Sequence, residues 1–288
     1  MKLGLVLEGG ASRSLFSCGV MDALLDENII ADYVIGVSAG IAYGTSYVSR
    51  QKGRNLELAL NYMHDKRYMG TRHLLNPKNR SYYNMDFAFR QIPQKIVPFD
   101  FDAFAQNTQN SVAIAAVTNL ETGQAEYKEL PSDDWDYHIR LLWASCALPI
   151  LFQPEDLNGT LFMDGGISDP IPFRRAIEDG CDKIITVLTR ERSYTKASDS
   201  SERIASRIYK KYPNFAKTLL SRHENYNRDR NELFELEKNN NVFVIAPSDT
   251  TGFSRTERRP EKLKEMYDDG YQTAKKNMPE LKKYLGIS

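Results

Sequence analysis

The sequence predicts an α/β protein: a mainly parallel sheet with helices on both faces. Three observations carry that prediction. Short apolar runs alternate with helical periodicities, glycine-rich turns stand directly after the first two runs, and polar turn residues close each unit. A chain of 288 residues, 41% hydrophobic, can bury a substantial core as one domain with elaborations.

The first element is Leu3-Gly4-Leu5-Val6-Leu7, a continuous apolar run suited to a strand buried on both faces. Glu8-Gly9-Gly10-Ala11-Ser12-Arg13 follows it, and Leu15, Phe16, Val20, Leu24 and Leu25 then recur at near-helical spacing until Glu27-Asn28. The next strand is expected over 32–37, which completes a βαβ unit. Glycines at a strand end let backbone N–H groups converge, and with the following helix dipole they hold a negative charge. The stretch contains neither GxGxxG nor a closing Lys-Ser or Lys-Thr, so a nucleotide phosphate is not the expected anion. Arg13 is either a solvated helix residue or a group that holds the glycine loop or an anionic part of a substrate.

The second turn is Gly36-Val37-Ser38-Ala39-Gly40, directly after the run Tyr33-Val34-Ile35. A serine between Gly36 and Gly40 suits a sharp strand-to-helix reversal that exposes Oγ, which makes Ser38 the candidate nucleophile. A hydroxyl needs a base at neutral pH. His64, His73, His138 and His223 all fall in helical or highly charged stretches rather than in a loop after a strand, so a histidine partner is not expected. Asp164 is the better candidate: Thr160-Leu161-Phe162-Met163 ends in this carboxylate, followed by Gly165 and Gly166. Asp-Gly also makes ordinary turns. A dry pocket nonetheless retunes a carboxylate enough to accept a hydroxyl proton at contact distance.

Further strands are expected over 112–117, 161–163, 183–188 and 242–245. Residues 53–110 read as a polar, aromatic-rich insertion, mostly helical or irregular. Its Tyr82, Tyr83, Phe87, Phe89, Phe99, Phe101 and Phe104 either pack the insertion or line a channel. The expected organisation is therefore a core over 1–190 carrying this insertion. Residues 191–288 follow as a helical cap, a returning strand at 242–246 and a C-terminal helix, integrated with the core. From Arg203 to Arg222 six basic residues and no acidic ones interleave with Tyr209, Tyr212, Phe215, Leu219 and Leu220. That is either a basic amphipathic face for transient contact with a membrane surface, or a solvated helix pair broken at Pro213.

The ordered set of a glycine-rich turn with downstream Arg13, GxSxG about Ser38 and Asp164-Gly165-Gly166 resembles the patatin-like phospholipase family. Ala144-Ser145-Cys146-Ala147-Leu148-Pro149 is similar to that family's small-residue segment upstream of Asp-Gly-Gly, and 112–128 to its hairpin. The resemblance covers roughly residues 3–190. It implies a three-layer α/β/α sheet and a serine acyl hydrolase of lipid esters, with a Ser38–Asp164 dyad. It also implies an oxyanion hole at Gly9, Gly10 and Ala11, with Arg13 as the loop's basic residue. Ala11 stands where the family has its third glycine, and Ser14 where a glycine follows the basic residue. Those departures leave a non-catalytic lipid-binding protein on the same scaffold as an alternative, beside an acyltransferase or thioesterase. An α/β-hydrolase fits less well, because only one strand–helix unit precedes the strand of Ser38.

Composition bounds the rest. Lys plus Arg (38) equals Asp plus Glu (38), which argues against general attraction to nucleic acid or to an anionic membrane. Cys18, Cys146 and Cys181 are scattered and lack a CxxC pair, as in a reducing compartment, so no metal or other cofactor is expected. The chain opens into a strand without a basic-then-apolar leader, and a cytoplasmic protein is the expectation.

Overall fold

The structure, a computed structural model, describes residues 1–76 and 79–287. In chain order its strands are β1 (Leu3–Leu7), β2 (Tyr33–Val37), β3 (Val112–Asn119), β4 (Ala125–Glu129), β5 (Glu155–Leu157), β6 (Thr160–Asp164), β7 (Lys183–Val187) and β8 (Val242–Ile245). The helices are α1 (Leu15–Asp26), α2 (Ala39–Val48), α3 (Arg54–Tyr62), α4 (Phe101–Asn107), α5 (Trp135–Cys146), α6 (Phe173–Glu178), α7 (Ser200–Ile208), α8 (Pro213–Lys238) and α9 (Pro260–Leu285).

β3, β2, β1, β7 and β8 lie side by side and parallel, and β4 pairs antiparallel with the outer edge of β3. The register at β3 matters most. β2 pairs with β3 only as far as Val37 opposite Ala116. Beyond it β3 continues, and β6 enters antiparallel with Asp164 opposite Val117. Residues 117 and 118 pair with β4 on one side and with β6 on the other, so β6 occupies the edge that β2 has just vacated. The carboxylate strand thus meets the end of the serine strand.

Alternation along β1 divides the core. Leu3, Leu5 and Leu7 pack into a cluster with α1, α2 and α9, whereas Val6 joins Phe173 and Ala176 of α6 and Tyr226 and Leu233 of α8 on the opposite face. The result is the three-layer α/β/α arrangement expected from sequence. α1 and α9 approach closely because each carries a glycine at the crossing: a Cβ at Gly19 or at Gly270 would lie 2.0 Å from a carbonyl oxygen of the other helix.

The insertion contains α3, a 3₁₀ turn at Thr71–His73, a π-helical stretch over Phe87–Ile96 and α4. After β7, the chain forms α7 and α8, with Pro213 at the first turn of α8, where a missing N–H costs nothing. β8 then extends the sheet beside β7, and α9 covers α1. Among the described residues, no helix is long and apolar enough to cross a membrane.

Candidate active site

The turn after β2 is strained at its centre. Ser38 has φ 54° and ψ −130°, a region that costs a side-chain-bearing residue about 1–3 kcal/mol. The strain persists because the surroundings hold it. The Ser38 N–H donates to Ser145 Oγ at 2.8 Å, and Ser145 Oγ donates to the Ala116 carbonyl at 2.8 Å, which ties the turn to α5 and β3. Gly36 and Gly40 permit the reversal sterically: a Cβ at the first would lie 2.8 Å from the Ile41 nitrogen, and at the second 2.7 Å from the Leu7 carbonyl oxygen.

Asp164 ends β6 and is 2% exposed. Its Oδ1 accepts from the Gly166 N–H at 2.8 Å, while Oδ2 is buried without a hydrogen-bond partner. Burial pushes its pKa above the ordinary 3.8, opposed first by hydrogen bonding to Ser38, then by Gly166 and by the charges of Arg222 and Arg255. Ser38 and Asp164 line one basin, although Oδ2 completes no hydrogen bond of ordinary length and angle. Proton-transfer pairs in free enzymes often have this loose geometry. Burial, and then the Asp164 charge, also raise the pKa of Cys146 beside Ser38, which keeps that thiol protonated.

The turn after β1 lies against Ser38. A Cβ at Gly9 would sit 3.1 Å from the Ser38 Cβ, and one at Gly10 would meet Thr189 Oγ1 at 2.7 Å. The N–H groups of Gly10 and Ala11 form no hydrogen bond among the described residues. Ala11 stands at φ 50°, in the left-handed region where glycine is at ease, so the turn keeps its course despite the alanine. Glu8 braces it from below: its carboxylate accepts from the Thr189 N–H at 2.5 Å, from Thr189 Oγ1 at 3.1 Å and from the Tyr226 hydroxyl at 2.6 Å.

Two cavities meet at Ser38 and Ala11. One is an apolar cleft of about 130 Å³, walled by Tyr43, Leu58, Met63, Phe89, Leu142 and Phe152 among others. The insertion aromatics divide between the two expected roles: Tyr83, Phe89, Phe99 and Phe101 line this cleft, while Phe87 and Phe104 are buried packing. The other cavity is a polar basin of about 670 Å³ that contains Asp164 and the glycine turn. Arg13 lines it and is no solvated helix residue. Burial and the neighbouring Arg190 lower its pKa to about 10.

Among the described residues, no histidine lines the basin. His138 lies on the cleft wall against Phe104 and Trp135, spends Nδ1–H on the Pro131 carbonyl at 2.9 Å, and has its pKa lowered to about 4 by burial. Sequence reasoning missed Glu8, Ser145 and Thr189 as supports, and Arg190, Lys196 and Arg255 on the basin wall. Ser145 falls within the small-residue segment already singled out, and its hydroxyl among small apolar neighbours was the available signal. The basic run 203–222 divides as well: Arg203, Arg207, Lys210, Lys211 and Lys217 are exposed. Arg222 instead turns inward, and its Nε donates to the Gly166 carbonyl at 2.7 Å.

Comparison with known proteins shows what the chain is similar to. The chain is 23% identical over 191 residues to the uncharacterized protein YjjU of Escherichia coli, covering 65% of this chain and 52% of that protein. It is 25% identical over 192 residues to the lysophospholipase NTE1 of Saccharomyces cerevisiae, covering 64% of this chain and 10% of the relative. The chain therefore spans about half the length of the first relative and about a tenth of the second. A crystal structure of VipD from Legionella pneumophila aligns with 96% of this chain and 66% of its own, at TM-score 0.49 and 13% identity. A domain model of unknown function, DUF6363, matches residues 212–286. The model described as patatin-like phospholipase matches residues 5–177, more than half of the chain, and the chain belongs to that family.

Proposed function

We propose that this protein hydrolyses carboxylic esters of lipids, with Ser38 as nucleophile and Asp164 as its base. The register at β3 carries the reading, since it brings the end of β6 to the strained serine turn without any histidine between them. Ser38 Oγ attacks the ester carbonyl as its proton passes to Asp164. The carbonyl oxygen becomes an alkoxide, which the free N–H groups of Gly10 and Ala11, at the expected Gly9–Ala11 hole, stabilise at the N-terminal end of the 3₁₀ turn. Collapse breaks the bond to the leaving alcohol, which takes the proton from Asp164. Water, deprotonated by Asp164, then attacks the acyl-serine, the bond to Ser38 Oγ breaks to release the fatty acid, and Asp164 returns the proton to Ser38 Oγ.

The apolar cleft receives the acyl chain, so the carbonyl stops at the junction of the two cavities. The lysophospholipase named among the relatives supports an ester with one long acyl chain. α7 exposes Arg203, Ile204, Arg207 and Ile208 on adjoining positions, a face suited to transient contact with a lipid surface. The test uses a serine-directed fluorophosphonate together with ester turnover. The wild type labels and turns over, and Ser38→Ala and Asp164→Asn both lose turnover while keeping their circular dichroism. Undiminished turnover in either variant rejects the mechanism.

A further inference from the structure

Five cations line the basin on the far side of Ser38 from the apolar cleft: Arg13, Arg190, Lys196, Arg222 and Arg255. Three carboxylates share the basin, Glu8, Asp164 and Asp199, and Asp164 is the proposed base. Glu8 is saturated by Thr189 and Tyr226, and Asp199 accepts from the Ser201 N–H at 2.8 Å as the cap of α7. Buried Glu202 lies 3.4 Å from Lys196 Nζ and 3.7 Å from an Arg222 nitrogen. Among the described residues, Arg13, Arg190 and Arg255 form no ion pair, and Nε of both Arg13 and Arg190 is buried without a hydrogen-bond partner. Such guanidinium donors are costly to leave empty, and they match the oxygens of a phosphate. Burial first and then repulsion from Arg190 lower the pKa of Arg13, against an attraction from Glu8.

The basin is poorly suited to a quaternary ammonium. Its aromatic faces are already taken: Arg190 lies 4.2 Å from the Tyr194 ring centroid, and Arg230 5.7 Å from that of Tyr226. Its volume, about 670 Å³, is in the range of small-ligand pockets. Arg222 and Arg255 both come from the segment matched by the domain of unknown function. The Ser12 N–H donates to the Arg255 carbonyl at 3.1 Å, and Ser12 Oγ to the Glu257 carbonyl at 2.9 Å, so the same segment is strapped to the glycine turn.

We propose that the basin binds a phosphomonoester dianion on the alcohol side of the scissile bond. The substrate is then a single-chain acyl ester of a phosphorylated polyol such as glycerol phosphate, and the 212–286 segment completes the leaving-group site. This inference rests on the ester-hydrolase reading above and narrows its substrate. Turnover is compared for monoacylglycerol phosphate, neutral monoacylglycerol and acyl glycerophosphocholine of one chain length, in the same uncharged micelles. The phosphomonoester is expected to lead in kcat/KM by about tenfold or more, the discrimination expected of one charge-assisted bond. Exposed Arg255 is a safe site for substitution: Arg255→Gln, and likewise Arg190→Gln, lowers the ratio of phosphorylated to neutral turnover by about tenfold.

Equal turnover of the three esters, or an unchanged ratio in both variants, overturns the proposal while leaving the hydrolase intact. Calorimetry on the Ser38→Ala protein separates the remaining sources. Tighter binding of glycerol phosphate than of inorganic phosphate supports a leaving-group site. Equal binding of the two without ester preference means a free-anion site and overturns it. Absence of turnover on every ester, with no probe labelling, rejects the hydrolase reading instead. The calorimetry then decides the basin alone, and failure to bind glycerol phosphate rejects it.

Discussion

The turns after β1 and β2 place the same conformational demand on different residues. At both strand ends a residue with a side chain stands at positive φ, Ala11 at 50° and Ser38 at 54°. The Ser38 turn is tied through its own N–H to Ser145, and its side chain is the proposed nucleophile. The Ala11 turn keeps its N–H free as a donor, and its side chain contributes only a methyl at the junction of the cavities. On the proposed mechanism one turn holds its strain for the sake of a side chain, whereas in the other the strain has no evident use. Substitutions that relax each turn separate the two cases.

The largest effect is expected from Ser38→Gly. Glycine adopts positive φ freely, so this variant should be more stable by about 1 kcal/mol, raising Tm by about 2–4 °C, after allowance for its looser unfolded chain. Its ester turnover should fall by at least about a thousandfold, with probe labelling abolished. A gain in stability with loss of function identifies strain stored at a working site. A lower Tm would show that the hydroxyl contributes more to the fold than its backbone costs.

Next comes pH. Asp164 acts as a base only when ionised, and burial raises its pKa, so the acid limb of kcat/KM should lie above the ordinary carboxylate range. Below that pKa activity falls about tenfold per pH unit, and it recovers as pH rises through it. Arg222 and Arg255 pull the limb downward, so Arg255→Gln should move it to higher pH. A limb at the ordinary 3.8 in wild type would mean that the ionising group is not buried Asp164.

The difference between the turns also shows what a sequence can express. β1, its glycine turn, α1, β2 and the Ser38 turn follow one another between Leu3 and Gly40, and local pattern suffices to read them. Asp164 was legible because its strand ends in the carboxylate and two glycines. β5 was not: Glu155-Asp156-Leu157 has no apolar pattern and is a strand only because β6 lies beside it. Ser145, Arg222 and Arg255 reach the site from far along the chain, and nothing local to a serine or arginine says which distant backbone it will meet. The basic stretch 203–222 illustrates this, since Arg222 shares the composition of its neighbours and faces the other way.

Ser145 tests whether the Ser38 turn needs its tie. Ser145→Ala leaves the part-buried Ser38 N–H and the buried Ala116 carbonyl each without this partner, at a cost of about 1–3 kcal/mol to stability. A merely structural loss would leave the folded fraction fully active per molecule. A positioning role predicts instead that kcat and the rate of probe labelling fall by about tenfold in folded protein while KM is unchanged.

The smallest effect is expected from Ala11→Gly, and it speaks to the other turn. An L-residue in the left-handed region costs about 1–2 kcal/mol, and glycine gives back about 0.5–1 kcal/mol of this through its more flexible unfolded chain. The net gain should be about 0.5 kcal/mol, or about 1–2 °C in Tm. Because the methyl borders both cavities, its removal should also leave probe labelling equal to or faster than wild type, with the Gly10 and Ala11 N–H directions preserved. A variant that melts lower or labels more slowly would show that the alanine methyl holds the N–H groups in place. In that case the departure from glycine at position 11 is an adaptation of the oxyanion turn, and its strain, like that of Ser38, serves the reaction.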